Sequence, residues 1–96
     1  MKIWALTRKN NKIVLDMILE EKAYEDSVKN AERLIYQACE AFDIGKPLML
    51  SKNEAELTDF RRTVFYAADF VESIDFDTFE VEIVVEKENK KQKIIY

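Results

Sequence analysis

The chain contains no histidine and only one cysteine among its 96 residues. Without an imidazole there is no Ser-His-Asp triad, no Cys-His pair, no histidine proton shuttle and no histidine-ligated zinc. The lone Cys39 cannot close an intramolecular disulfide, nor can it build a thiolate zinc or iron–sulfur site within one chain. Glycine and proline occur once each, at Gly45 and Pro47, so most residues are expected in regular elements. That scarcity also argues against enzymes built on glycine-rich phosphate loops. No apolar run approaches the roughly 18 residues that a membrane span requires. Met1 to Leu6 lead straight into an alternating pattern, without the charged and apolar regions of a secretory leader. The cytoplasm is therefore the expected compartment, with no membrane partner.

Hydrophobic residues make up 48% of the chain and charged residues 35%, a globular balance rather than a disordered one. At this length a single domain over residues 1–96 is expected. The formal charge is −4, which disfavours nonspecific attraction to nucleic acid or anionic lipid. Basic side chains do cluster locally, with Arg8, Lys9 and Lys12 at one expected turn and Lys87, Lys90, Lys91 and Lys93 at another. Placed at the same end, they would form a basic edge, the basis of an alternative reading as a nucleic-acid-associated protein. No aromatic–basic RNA-binding motif or helix-turn-helix pattern accompanies them, and charged turns ordinarily serve solubility and edge protection.

The pattern predicts strands over 2–8 and 12–20, joined at Asn10-Asn11, because asparagine tolerates the positive φ of a tight hairpin. An uninterrupted register pairs Leu6 with Leu15 and Trp4 with Met17. One face then carries Trp4, Leu6, Ile13, Leu15, Met17 and Leu19, the expected core face. The other carries Ile3, Ala5, Thr7, Val14, Asp16 and Ile18. Over 25–43, Val28, Ala31, Ile35, Ala38 and Phe42 recur at helical spacing, and Gly45 with Pro47 marks the stop. Residues 51–73 read as two short helices separated by an irregular or extended segment, since Thr63 to Tyr66 clusters β-branched and aromatic residues. Residues 77–86 alternate cleanly as a strand, and a hairpin at Glu88-Asn89 would pair Ile83 with Ile94, Val81 with Tyr96 and Glu86 with Lys91. The expected class is α+β, in the order β-β-α-short α-β-β. An antiparallel sheet of about four strands carries one long helix packed on one face.

Several segments carry a resemblance to proteins of known sequence type. These are Lys2-Ile3-Trp4-Ala5, Lys46-Pro47-Leu48-Met49-Leu50-Ser51-Lys52-Asn53, Arg62-Thr63-Val64-Phe65, Asp69-Phe70-Val71-Glu72 and Asp75-Phe76-Asp77-Thr78-Phe79-Glu80-Val81. Through them the chain resembles, over nearly its whole length, a group of small uncharacterised proteins of Gram-positive, Clostridia-like bacteria. The resemblance implies a free-standing bacterial cytoplasmic protein and transfers neither an activity nor catalytic residues.

Three features could carry chemistry. Asp69, Glu72, Asp75, Asp77, Glu80, Glu82 and Glu86 form an acidic segment that could offer oxygens to Mg²⁺ or Ca²⁺. It lacks the calcium-loop spacing and glycine, so a turn plus a solvated strand face is expected, with no metal and no cofactor. A carboxylate- or metal-dependent enzyme is the weakest alternative. Ser51, Lys52 and Asn53 open a helix with capping-box spacing, and Arg61 and Arg62 follow later. Helix N-termini attract anions, so these five residues form a candidate anion site if Arg62 folds back toward the cap. Finally, Ile3, Val14 and Ile18 fall on the sheet face assigned away from the core. They are the candidate interface for self-association or a protein partner, unless residues 51–73 cover them. A non-catalytic protein-binding or assembly module, homodimeric in its simplest form, is the favoured functional class.

Overall fold

The structure, a computed structural model, describes residues 1–85. Strand β1 (Lys2–Lys9) turns through Asn10 and Asn11 into β2 (Lys12–Glu20). Both asparagines take positive φ, 55° and 66°, as a two-residue hairpin that follows the natural strand twist requires. Lys9 pairs with Lys12 and Arg8 with Ile13, but Thr7 then pairs with Leu15. Val14 is thus the extra residue of a β-bulge. From the bulge onward the register moves by one position, which exchanges the faces of one strand against the other.

That single residue corrects the expected core face. Ile3, Ala5 and Thr7 line up with Leu19, Met17 and Leu15 beneath the helices, and all three are buried. Trp4 and Leu6 line up with Ile18 and Asp16 on the opposite face. Ile3 therefore belongs to the core and not to an exposed interface. The uninterrupted register predicted from the Asn-Asn turn holds only for its first two pairs.

Helix α1 (Val28–Phe42) buries Ala31, Leu34, Ile35, Ala38 and Cys39, the stripe that its periodicity sets out. Ser27 caps it by accepting the Asn30 N–H at 3.1 Å. It ends at Asp43, which adopts φ 59°, while the Asp43 and Ile44 N–H groups close onto the Glu40 and Cys39 carbonyls. Gly45 is not the left-handed stop. Its missing side chain instead admits Glu72, whose Oε1 would lie 2.8 Å from an added Cβ.

Residues 51–73 divide into helix α2 (Ser51–Phe60), strand β3 (Arg62–Tyr66) and one 3-10 turn at Ala67–Asp69. The extended segment expected between two helices is thus a strand of the sheet. Strand β4 (Thr78–Ile83) completes an antiparallel sheet in the order β2-β1-β4-β3. The expected α+β class, with four antiparallel strands and one long helix packed on one face, is observed, although the fourth strand is β3 and α2 joins the long helix on the same face. The hairpin expected to place Ile94 and Tyr96 against β4 lies outside the described residues.

Phe79 organises the core. Phe65 stacks on it at 5.8 Å from the neighbouring strand, and Phe42 meets it edge-on at 6.2 Å from α1. Leu57 of α2 joins the same buried cluster. Asn53, fully buried, ties α2 to the sheet by donating from Nδ2 to Thr63 Oγ1 at 2.8 Å. Thr63 in turn donates to Glu56 Oε1 at 2.6 Å. Both helices therefore sit on one side of the sheet. Val14 and Ile18 are more than half exposed, which removes the alternative that residues 51–73 cover them.

Candidate protein-contact surface

Strand β2 combines an edge position with an apolar sequence. Six of its residues, Ile13, Val14, Leu15, Met17, Ile18 and Leu19, are aliphatic or methionine, and none is buried. Val14 is 56% exposed and Ile18 59%, while Met17 and Leu19 are half-buried under α1. The outer edge of the strand has no partner among the described strands. The Glu21 N–H bonds the Met1 carbonyl at 2.9 Å, and the same alternation turns the backbones of Leu19, Met17 and Leu15 toward β1. Asp16, Ile18 and Glu20 consequently present their N–H and C=O groups outward. Unpaired backbone beside exposed aliphatic side chains is the chemistry of a strand-addition surface.

The open face beside this edge is more polar. Trp4 donates from Nε1 to Asp16 Oδ2 at 3.0 Å, tying β1 to β2. Further across, Glu80 accepts from Arg8 Nε at 2.9 Å, from Arg62 Nη2 at 3.2 Å and from Thr78 Oγ1 at 3.0 Å. The aliphatic Leu6 disappears beneath this cluster and is only 3% exposed. Trp4, Leu6, Arg8, Arg62 and Glu80 line a shallow hollow of about 160 Å³. Its two cations share one carboxylate, so the hollow offers no unopposed positive charge.

The five candidate anion ligands are not brought together. Leu50 is the N-cap of α2, which makes Ser51 the first helical residue. The Asn53 Oδ1 accepts the Leu50 N–H at 3.1 Å and its Nδ2 serves Thr63, so its amide is committed internally. Arg61 sits beyond the far end of α2 at φ 62°, 3.9 Å from Asp26. Ten residues of helix place that end about 15 Å from the cap. Arg62 bonds Glu80 rather than folding back, although it lines one cleft with Lys52, whose Nζ lies 5.8 Å from the Tyr66 ring centroid. Glu56 occupies the same cleft and opposes both cations.

Three carboxylates of the acidic segment, Asp69, Asp77 and Glu80, are engaged in structure, and its last, Glu86, lies outside the described residues. Asp77 accepts the Asn10 N–H and Asp69 the Tyr66 N–H, each at 2.8 Å, while Glu80 holds the two arginines. Among the described residues no group of three side chains is arranged to hold a metal ion. Cys39 is fully buried in the core, and desolvation pushes its thiol up to about 12, against the opposing pull of Lys46. A thiol so shifted is a poor nucleophile at neutral pH. The first basic turn keeps Lys9 and Lys12 exposed, but Arg8 is paired. The Val84 N–H bonds the Lys2 carbonyl, so the described chain ends at the other end of the sheet from that turn.

The edge position of β2 follows from the strand order, which no local pattern fixes, and its faces follow from the bulge. One signal for it was present. Alternation places Lys2 and Arg8 on the same face as Trp4 and Leu6, whereas Ile3, Ala5 and Thr7 form an uncharged face. Among the described residues no helix is long and apolar enough to cross a membrane. Comparison of the chain with family models, with curated proteins and with solved structures gives no match.

Proposed function

We propose that this chain is a non-catalytic protein-binding module of the bacterial cytoplasm, with the outer edge of β2 and its exposed aliphatic side chains as the contact surface. The observation that carries the reading is a strand with six apolar residues and no buried one. Ile13, Val14, Leu15 and Ile18 each keep between 43% and 59% of their surface in water. Covering that remainder is worth roughly 1 kcal/mol per side chain, about half the value of full burial. Outward N–H and C=O groups at Asp16, Ile18 and Glu20 would add ladder bonds to the same contact. Non-catalytic action is supported by the inert Cys39 thiol and by carboxylates engaged with backbone or arginine. The nucleic-acid alternative has weaker support: Arg8 of its first basic cluster is tied to Glu80, and the second cluster, Lys87 to Lys93, lies outside the described residues.

The test is cross-linking at native abundance, followed by reconstitution with the purified partner, whether another protein or the chain itself. Ile18→Lys combined with Val14→Lys should abolish the reconstituted complex and leave the melting temperature within a few degrees of wild type. A complex that survives both substitutions, or a chain with no partner at all, would overturn the reading.

A further inference from the structure

We infer that the outer edge of β2 is taken by β3 of a second copy of this chain, head to tail, with Val64 of one copy opposite Ile18 of the other. This inference rests on the contact surface proposed above and adds its partner and register.

Among the described strands the sheet has two outer edges, β2 and β3. The Ile83 N–H bonds the Arg61 carbonyl at 2.7 Å, so alternation turns the Thr63 and Phe65 backbones toward β4. Arg62 and Val64 present theirs outward, and Asp69 takes the Tyr66 N–H at 2.8 Å, which ends the free edge. On β2 the outward groups belong to Asp16, Ile18 and Glu20, all on the regular stretch after the Val14 bulge. Every neighbouring pair of strands is antiparallel, so β2 and β3 run in opposite directions. A second copy in the same orientation therefore sets β3 antiparallel to β2 of the first, with the helices of both copies on one side.

Directly opposed residues in such a ladder share a face, and their backbones are either both hydrogen-bonded or both not. Even-numbered residues of β3 must then meet even-numbered residues of β2. Val64 opposite Glu20 would set Arg62 against Lys22, and Val64 opposite Asp16 would set Tyr66 against the bulge at Val14. Val64 opposite Ile18 stays within Asp16–Glu20. It sets Arg62 against Glu20, Thr63 against Leu19, Phe65 against Met17 and Tyr66 against Asp16. Arg62 gives only Nη2 to Glu80 and its side chain is 53% exposed, which leaves N–H groups for Glu20. On the helix side, a cleft of about 210 Å³ along β3 is lined by Phe60, which is 70% exposed and lies next to the Arg62 end where Leu19 would enter. By contrast, β2 paired with its own copy over the same stretch, centred on Ile18, sets Asp16 against Glu20 twice. The head-to-tail interface uses a different surface on each copy, so it repeats into a filament or closes into a ring.

Proline at the two central positions tests the pairing, because an edge strand tolerates proline where its N–H faces solvent but cannot be extended there. Ile18→Pro blocks β2 and keeps β3, and Val64→Pro does the reverse. In sedimentation velocity wild type should form oligomers that grow with concentration, and each variant alone should be monomeric. An equimolar mixture of the two should give a 1:1 heterodimer and nothing larger, since one open β2 and one open β3 remain. Glu20→Lys, which opposes two cations across the strands, should weaken wild-type association about tenfold. Thermal melts at low concentration report monomer stability separately, and Ile18→Lys with Val64→Lys repeats the mixing experiment if a proline variant melts low. Self-association of either blocked variant alone would overturn the inference, as would a mixture that stays monomeric while wild type associates. A wild-type monomer that binds a different protein through β2 would overturn self-pairing and leave the protein-binding reading intact. A monomer with no partner would sink both.

Discussion

Replacing Ile3 and Ile18 separately by alanine tests the bulge that sets the faces of the sheet. The two isoleucines are chemically identical, belong to adjacent strands and were expected on one face. The structure separates them: Ile3 is fully buried against Leu19 and Ile83, and Ile18 is 59% exposed beside Trp4. Ile3→Ala deletes three buried carbons and leaves a cavity under α1, at a cost of about 3 kcal/mol. In a domain of this size that is a large part of the roughly 5–15 kcal/mol of total stability. Thermal unfolding should shift down by about 12–20 °C and the urea midpoint by about 2 M, with an unchanged slope. Ile18→Ala removes mostly hydrated surface and should cost less than about 1 kcal/mol at protein concentrations below the association range. Urea titrations of both variants, followed by Trp4 fluorescence, give the comparison directly. Equal losses, or a larger loss for Ile18, would mean that no bulge interrupts β2 and that the core face carries Trp4 and Leu6.

Asn53→Ala should destabilise by about 2–3 kcal/mol in the same titration, because it removes the bonds that its buried amide makes to Thr63 Oγ1 and to the Leu50 N–H. Glu80→Gln should cost about 1–2 kcal/mol, a modest figure because Arg8 and Arg62 are partly in water, with the loss shrinking as salt is raised. The Cys39 thiol is held protonated in the fold, up to about 12, against an ordinary value near 9.0. Its stabilising effect is complete below the ordinary value and is lost as pH rises toward 12, since only the unfolded chain then releases the proton. Chemical denaturation between pH 9 and pH 11 should accordingly show a shallower decline for Cys39→Ala than for wild type. Asp43→Gly should raise the melting temperature by about 4–8 °C, because it relieves a left-handed φ and removes an acidic charge from the C-terminal end of α1.

The parts of this fold that sequence made legible are those governed by one uninterrupted period. Helix α1 shows five core positions at helical steps, and nothing along it breaks the count. Strand β4 alternates without exception, and Phe79, Val81 and Ile83 are buried as that alternation demands. Strand β2 fails for the complementary reason. A period of two keeps no memory across an inserted residue, so the single extra position at Val14 reverses every assignment on one strand relative to the other. The turn chemistry was read correctly, and it fixes only the pairs nearest Asn10 and Asn11. Which residues face the core farther along depends on burial, and that favours the uncharged Ile3-Ala5-Thr7 face over one flanked by Lys2 and Arg8.

Residues 51–73 show the same limit at the level of element type. Leu57, Phe60, Val64 and Ala67 keep helical spacing, but the helix stops at Phe60, which is 70% exposed. Arg61 then enters the left-handed region and redirects the chain into β3. Tertiary contacts decide the outcome: Thr63 and Phe65 fit opposite Val81 and Phe79 only if the segment is extended. The anion site proposed for this region depended on Arg62 lying near the start of α2. Forming β3 instead commits Arg62 to the open face and to Glu80, while Asn53 turns inward to hold Thr63. The interface residues divide for a related reason. Val14 and Ile18 remain at the surface because β2 is an edge strand, whereas Ile3 lies on the central strand β1 beneath a helix. An edge strand with aliphatic side chains on both faces, Leu15 on one and Ile18 on the other, fits the interior of a larger sheet better than the rim of a four-stranded one. Strand addition at β2 would reconcile its sequence with its position.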